Sequence, residues 1–517
     1  MSIVATEQSA GTKGAANSWG LSLFTNRWTA FAMLTLAIVQ QSLGHHNADN
    51  SWLFTVAEKA LAGERPYVDV LETNPPASFI LYMPAAIIAR VLHLSTEFVV
   101  SAAMFAMAAA CALFAARILR AAGLFPRDEE GFLLIAATFA LLNLPSFNFA
   151  EREHVALVWV LPMLAIHAAR MAGTSPSTRA LIIAGLLAGL AVCIKPHFAL
   201  AIGLSFLGVL HARRSLGAML SIENLIAAAA VLVYAGMVVV FFPDFFKALP
   251  AIVDAYVPLR QPWLVLLQEP WLLLNMVLLA ATGLIGGRAC CGPRAWPLLA
   301  ASVGFTGAYF WQGKGWMNHE LPSVALICLA IALLVAPMLA ELRATGSSTA
   351  WRAARPATLF AALPTALCAP LLFGAIIQWT MAEEHEGLTA IVRRHAPAHP
   401  TMMALSPQLT AGFPLVRRLD GEWVGRAQRL WLTVSARMLL DANRGDEAYR
   451  ARLRAYVAED TGDFLVDARA RRPDVILVDN DARVTQAIRD IPALAAALDG
   501  YVETEIADDL AVWIRRD

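Results

Sequence analysis

Charge is what this sequence has least of. Only 15% of its 517 residues are Asp, Glu, Lys or Arg, against 58% hydrophobic, whereas soluble globular chains carry about 25% charged residues. Most of the chain must therefore face lipid or other buried helices. The 40 basic and 40 acidic residues cancel, which leaves no net charge to attract nucleic acid. Cysteine is scarce: Cys111, Cys193, Cys290, Cys291, Cys328 and Cys368, with none after residue 368. No disulfide framework follows from this, and neither CxxC nor a Cys/His zinc spacing occurs. The first 26 residues lack the basic n-region and cleavage site of a signal peptide. The first apolar run, 28–44, is thus expected to persist as an anchor behind a cytoplasmic tail, 1–27.

What is present is a series of apolar runs. A bilayer core needs about 20 apolar residues per helix. Runs near that length lie at 28–44, 97–119, 131–149, 153–171, 222–243, 270–287, 295–311, 320–341 and 356–380. Residues 180–212 would make one helix of about 50 Å, too long for a single crossing, so two crossings hinged at Lys195-Pro196-His197 are expected. The apolar stretch 76–94 is interrupted by Pro84, Arg90 and His93. Cytoplasmic loops are enriched in Lys and Arg, and that rule decides its placement. If 76–94 lies along the membrane surface, about eleven transmembrane helices remain. The cytoplasmic side then collects Arg117, Arg120, Arg127, Arg170, Arg179, Arg213, Arg214, Arg288, Arg294, Arg343, Arg352 and Arg355.

The same arrangement puts a first loop, 45–96, and the segments 150–153, 195–197, 244–269 and 312–319 on the outer face. The transmembrane portion is expected to span 28–381. From 382 to 517 the composition turns charged and Gly/Pro-punctuated, which predicts a small periplasmic α/β domain. PDVILVD at 473–479 reads as a buried strand, and two short strands are expected around Asp508-Asp509.

The unusual polar residues fall in those outer segments. The first loop carries Asp49, Asp69 and Glu72 beside His45 and His46. A carboxylate at the membrane surface can take a proton from an acceptor hydroxyl. Residues 51–62 have helical spacing, and Glu72-Thr73-Asn74-Pro75-Pro76 forms a rigid turn because two prolines fix the backbone. The plain alternative is a polar loop with a helix cap at Asp49. Glu151-Arg152-Glu153-His154 sits at a helix mouth, where four ionisable groups are costly unless paired or used; an interfacial ion pair accounts for them equally well. Lys195 and His197 flank a proline between two apolar half-segments. In QGKGWMNHE, Lys314 stands between two glycines ahead of His319. Lys195 and Lys314, with Arg152 or Arg260, are candidates to bind a pyrophosphate or phosphate, although lone lysines at helix ends often only snorkel. The aromatic, proline-punctuated loop 244–269 reads as an interfacial helix or as the flank of a lipid groove.

The order of these motifs resembles the GT-C superfamily of integral membrane glycosyltransferases, and in particular the protein O-mannosyltransferases and lipid A aminoarabinose transferases. An acidic residue follows the first helix (Asp49), then a helix and Gly63-x-x-x-Tyr67, then an acid shortly before Pro-Pro (Glu72, Pro75, Pro76). An amphipathic segment, an outer Arg/Glu cluster and a C-terminal outer domain come next. The resemblance covers about 28–380 and is specific mainly in the first loop. It implies transfer of a sugar from a polyprenyl-phosphate donor to an acceptor hydroxyl on a glycan, lipid or protein. It makes Asp49 the general base, Glu72 a catalytic or positioning acid, and Lys195, Lys314 and Arg152 the donor-phosphate ligands. Asp69, Asn74, Glu153, His154, His197 and His319 complete the set as substrate contacts. The aminoarabinose transferases carry Lys before Pro-Pro where this chain has Asn74. Asn50 follows Asp49 where some relatives pair two acids, so neither a metal nor another cofactor is expected.

The chain is thus expected in the inner (plasma) membrane, with membrane lipids and the lipid-linked donor as partners and no nucleic acid. In-line displacement at the anomeric carbon with inversion is the expected reaction. Two other readings stand beside it. A lipid-linked saccharide flippase would share the broken helices and intramembrane charge. An O-antigen-ligase-type enzyme would need outer Arg and His residues but no essential carboxylate.

Overall fold

The computed structural model describes residues 27–44, 46–125, 129–345, 374 and 386–516. The tail before residue 27, His45, Arg127, Arg352 and Arg355 lie outside the described residues. So does the apolar run at 356–380, Cys368 included, apart from residue 374.

The described chain is mostly helical. The apolar runs become α1 (Arg27–Leu43), α4 (Thr96–Ala121), α5 (Glu130–Thr138), α6 (Arg152–Met171), α7 (Thr178–Ile194), α8 (Ala199–Arg213), α9 (Ile222–Phe241), α11 (Pro270–Gly286), α12 (Trp296–Gln312) and α13 (Met317–Thr345). Shorter α2 (Ala48–Leu61), α3 (Met83–Leu92) and α10 (Pro243–Ala251) fall between them. Among the described residues four helices are long and apolar enough to cross a membrane: Thr96–Ala121, Arg152–Met171, Ile222–Phe241 and Met317–Pro337. The chain is an integral membrane protein. Its other apolar helices are shorter.

Two expected runs are reshaped by their own residues. The stretch 180–212 breaks at Lys195, whose extended backbone ends α7, and Pro196–Phe198 forms a single 3-10 turn before α8. Proline at 196 has no N–H for an α7 hydrogen bond, so the helix stops there. The segment 76–94 splits into the one-turn helix Ala77–Ile80 and the ten-residue α3, which His93 closes in the left-handed conformation. Ten helical residues reach about 15 Å, half a bilayer core. On α3, Ile87, Ile88, Val91 and Leu92 are exposed while Ala86 and Ala89 are buried. That division suits a helix lying along an apolar surface.

The chain forms two compact units. The first comprises Met1–Leu43, Met104–Val231 and Pro262–Ala375; the second comprises Gly44–Ala103, Leu232–Gln261 and Ile376–Asp517.

The first unit is a helical bundle held by small residues. Ile118, Met163, Ala165, Ile166, Ala169, Leu181, Ala184 and Ala188 form one buried cluster. Lipid offers helices no hydrophobic drive to associate, so close backbone approach replaces it. At Gly304 on α12 a Cβ would come 2.4 Å from Ala201 Cα of α8. At Gly185 on α7 it would come 2.4 Å from the Glu223 carbonyl oxygen of α9.

The second unit carries the sheet. Strands β1 (Thr401–Leu405), β2 (Glu422–Trp423), β3 (Val475–Asp479), β4 (Tyr501–Ala507) and β5 (Leu510–Arg515) lie in the order β2-β1-β3-β5-β4. The β2-β1-β3 pairs are parallel and the β3-β5-β4 pairs antiparallel. The expected strand at 473–479 is β3, buried along its whole length. Asp508 and Asp509, both with positive φ, make the two-residue turn between β4 and β5, the geometry that a tight hairpin requires. Helices α14 (Glu386–His395), α15 (Trp431–Asp441) and α16 (Glu447–Arg471) belong to this part, with shorter helices at Leu415–Arg418, Ala482–Asp490 and Pro492–Ala497. The first loop belongs to the same unit. The Leu71 N–H donates to the Arg426 carbonyl at 2.7 Å, and Trp52 packs edge-on against Phe413 with ring centroids 5.4 Å apart.

Candidate functional site

In the second unit the loop residues are organised around α2 and the Pro-Pro turn. Asn47 caps α2, its side chain accepting from the Asn50 N–H at 2.9 Å. The cap is therefore Asn47, and Asp49 is a half-buried residue of the first helical turn, where the helix dipole favours negative charge. Asn50 is buried and accepts from the Tyr82 hydroxyl at 3.1 Å. Asn50 is thus committed to packing the loop.

Glu72 is 2% exposed. Its Oε2 accepts from the Trp52 indole N–H, and its Oε1 accepts from the backbone N–H of Asn74 at 2.8 Å and from the Asn74 side-chain amide. Tyr67, with φ of +69°, donates its hydroxyl to the Asn74 carbonyl at 2.6 Å. Burial, with the Glu72 carboxylate next, pushes the Tyr67 phenol far up, so it remains a donor. Glu72 and Asn74, singled out from the sequence, are joined here, and both Glu72 oxygens are engaged. The Glu72 carboxylate thereby ties Trp52 of α2 to the turn at Asn74. Trp52 and Tyr67 are the partners that sequence reasoning missed as a set: Tyr67 figured only in a spacing motif, and nothing in the sequence joins Trp52 to an acid twenty residues on. Asp69 stands apart, about two-fifths exposed, bound to the Arg65 backbone N–H and guanidinium. Those bonds hold its carboxyl below the usual range.

The far end of α2 is gripped by Arg417. Its guanidinium donates to both Glu58 oxygens at 2.7 and 2.8 Å, to Thr55 Oγ1 at 3.1 Å, and to Glu97. It also lies 5.8 Å from the centre of the Phe54 ring. Burial alone would weaken its hold on the proton, but the two carboxylates outweigh it and move the pKa up.

In the first unit, Lys195 leaves the end of α7 and enters a buried polar cluster. Its Nζ donates to Glu153 on α6 and to Gln312 Oε1 at the end of α12, the latter at 2.8 Å. The His319 Nε2 of α13 stands 3.5 Å from both Lys195 Nζ and Glu153 Oε1. Glu153 is fully buried, Lys195 and His319 nearly so. A buried charge must be matched, and Glu153 matches Lys195. Arg152 and His197 lie within electrostatic reach of His319. Four polar atoms of this cluster are buried with no hydrogen-bond partner: Glu153 Oε2, His319 Nδ1, Gln312 Nε2 and His197 Nε2. Because Lys195 can only donate, it fixes the Gln312 amide with oxygen inward, and Nε2 is left as a donor. Buried polar atoms are normally satisfied, so this concentration marks a place able to take a polar ligand.

Of the sequence candidates, Lys195, Glu153 and His319 thus meet directly, with Arg152 and His197 close by. Gln312 is an unforeseen member, although it opens the QGKGWMNHE motif. Gly313 and Gly315 around Lys314 have φ of +64° and +74°, so glycine is required there by the turn itself. Lys314 is half-buried. His154 faces elsewhere: its Nδ1 accepts from the Ala150 N–H at 3.0 Å, and its Nε2 lies 2.8 Å from the Leu141 carbonyl. Both ring nitrogens serve the α5–α6 connection, which leaves none for a substrate. Among the described residues no group of three His, Cys, Asp or Glu side chains is arranged to hold a metal ion.

No family model matches the chain, and no curated protein matches it. Among solved structures, the crystal structure of ArnT from Cupriavidus metallidurans in the apo state is similar to it. That similarity has a TM-score of 0.49 and 14% sequence identity, over 96% of this chain and 98% of that chain.

Proposed function

We propose that the chain is a GT-C-type membrane glycosyltransferase, which transfers a sugar from a polyprenyl-phosphate donor to an acceptor hydroxyl on the non-cytoplasmic side. The observation that carries this reading is the Lys195 cluster. A buried lysine, balanced by one carboxylate and ringed by unpartnered polar atoms, lies among apolar helices, a setting suited to an anionic group carried by a lipid. The order of motifs in the first loop adds independent support. In this reading about eleven helices cross the membrane, and the N-terminus is cytoplasmic.

The roles follow from the chemistry. Asp49 takes the proton of the acceptor hydroxyl as the acceptor oxygen bonds to the anomeric carbon. The bond from that carbon to the phosphate oxygen breaks, and the phosphate leaves with the electron pair. Lys195, with Lys314 and Arg152, stabilises the departing charge. Glu72 holds Trp52 and Asn74 in place for the acceptor. One displacement inverts the anomeric centre and forms no covalent enzyme intermediate.

The test uses purified protein in nanodiscs with a panel of radiolabelled polyprenyl-phosphate sugars. Transfer or slow hydrolysis of one donor, abolished in Asp49→Asn, is the expected result. Wild-type turnover by Asp49→Asn refutes the assignment of the base. Movement of lipid between leaflets without turnover replaces the reading by a flippase.

A further inference from the structure

One buried carboxylate plays no part in the scheme above. Glu320, in the first turn of α13, is fully buried in an apolar bundle. No ion pair involves it among the described residues: its Oε2 accepts from the neutral Asn275 side-chain amide of α11 at 2.9 Å, and the Thr306 hydroxyl oxygen of α12 stands 3.4 Å from that same atom. An uncompensated carboxylate in such a setting is expensive and marks function unless something balances it.

Both N–H groups of the Asn275 amide are used, one on Glu320 Oε2 at 2.9 Å and one on Thr306 Oγ1 at 2.7 Å. The Ser323 hydroxyl donates to the Ser302 carbonyl at 2.6 Å, so the 2.8 Å contact between Thr306 and Ser323 consumes the Thr306 hydrogen. Every donor in the network is then spent except the Ser302 hydroxyl. Three oxygens remain buried without a partner: Glu320 Oε1, Asn275 Oδ1 and Ser302 Oγ. Each belongs to a residue at least nine-tenths buried. The network lacks positive charge, and its unused atoms are all oxygens.

We propose that Glu320, Asn275, Ser302 and Thr306 bind a monovalent metal cation of the sodium class between α11, α12 and α13. Oxygen donors select hard cations. One carboxylate balances one unit of charge, whereas a divalent ion would leave an excess charge buried in the bundle. The carboxylate, the amide oxygen and the hydroxyls supply the coordination that water provides outside. Such an ion pins α11 to α12 and α13, whose ends carry Gln312 and His319, so it stabilises the region around Lys195 without touching it.

Binding of radioactive sodium to the purified full-length protein, in detergent and in N-methylglucamine chloride at constant ionic strength, tests this directly. One saturable site per chain is expected, together with a sodium-dependent rise in melting temperature that N-methylglucamine does not produce. Glu320→Gln removes the charge and should abolish the site. Ser302→Ala keeps the carboxylate and should weaken binding about tenfold, in the range typical for losing one supporting ligand. The proposal is overturned if the wild type shows no saturable binding, or if Ser302→Ala and Glu320→Gln both bind as the wild type does. A melting temperature that responds to pH but not to sodium would also overturn it, and would assign a proton to Glu320. None of these outcomes depends on transferase activity.

Discussion

Replacing Arg417 by methionine tests the packing of the second unit most directly. Methionine keeps much of the side-chain volume over Phe54 and removes the guanidinium. The change deletes two hydrogen bonds to Glu58, one to Glu97 and one to Thr55. Breaking a fully buried ion pair from one side costs about 3–5 kcal/mol. Here the carboxylates left behind are 39% and 31% exposed, so water recovers part of their solvation and screens the pair. The expected loss is therefore about 2–3 kcal/mol. Arg417→Lys should recover less than half of it, because an ammonium cannot serve both carboxylates in the planar fork geometry. Adding Glu58→Gln and Glu97→Gln to Arg417→Met should restore stability, since most of the loss comes from stranded charge. Native-state hydrogen exchange on the amides of α2 is the suitable assay, because it reads local opening in a protein that need not unfold in one step. The reasoning is refuted if Arg417→Met leaves exchange within about 0.5 kcal/mol of the wild type. It is also refuted if the triple variant is less stable than the single one.

Other outcomes follow from the same geometry. Lys195→Met should lower the melting temperature sharply, by stranding Glu153, and adding Glu153→Leu should return most of it, since a well-packed apolar pair can replace a buried ionic one; thermal unfolding of the three proteins checks this. Gly304→Leu should destabilise the bundle by more than the ~1–3 kcal/mol usual for overpacking, because the first atom added already meets the Ala201 backbone; loss of the folded fraction in size-exclusion chromatography would report it. Burial raises the Asp460 carboxyl from 3.8 to about 6, its bonds to Thr433 opposing and Asp463 and Glu459 adding to the rise. The folded state then holds this proton more tightly than the unfolded one. Its contribution is present below pH 3.8, fades as pH climbs through 6, and amounts to about 3 kcal/mol at most. Asp460→Asn should therefore stabilise the protein at pH 8 and not at pH 4, as measured by denaturant unfolding at both.

Element positions were largely legible because lipid imposes long apolar runs, and the break at Lys195-Pro196-His197 was legible because proline cannot continue a helix. Strand β3 and the hairpin at Asp508-Asp509 announced themselves through an unbroken apolar run and a turn pair. Strands β1 and β2 did not, since TMMAL and EW are too short to carry a period. Within the candidate site, Lys195, Glu153 and His319 were each visible as costly residues in apolar surroundings, but only the fold shows that they share one cluster. Gln312 was missed because an uncharged amide at a helix end draws no attention. His154 was selected for its charge class, and its role is set by two backbone groups that no sequence pattern reveals. The Asn275–Glu320 network escaped for the same reason: its members lie 45 residues apart, and three of its partners are ordinary serines and threonines.

The grip of Arg417 on α2 has a consequence for how the protein is made. Its partner Glu58 precedes it by 359 residues, and at about 5–20 residues per second a ribosome needs roughly 20–70 s to cover that distance. During that interval the first loop exists without the residues that complete its packing, while the apolar segments after it are already being delivered to the membrane. Assembly of the second unit is therefore a late event. A truncation or a stalled chain ending before residue 417 would yield a protein that is inserted but has an unfinished first loop, in which α2 lacks the guanidinium that grips Glu58.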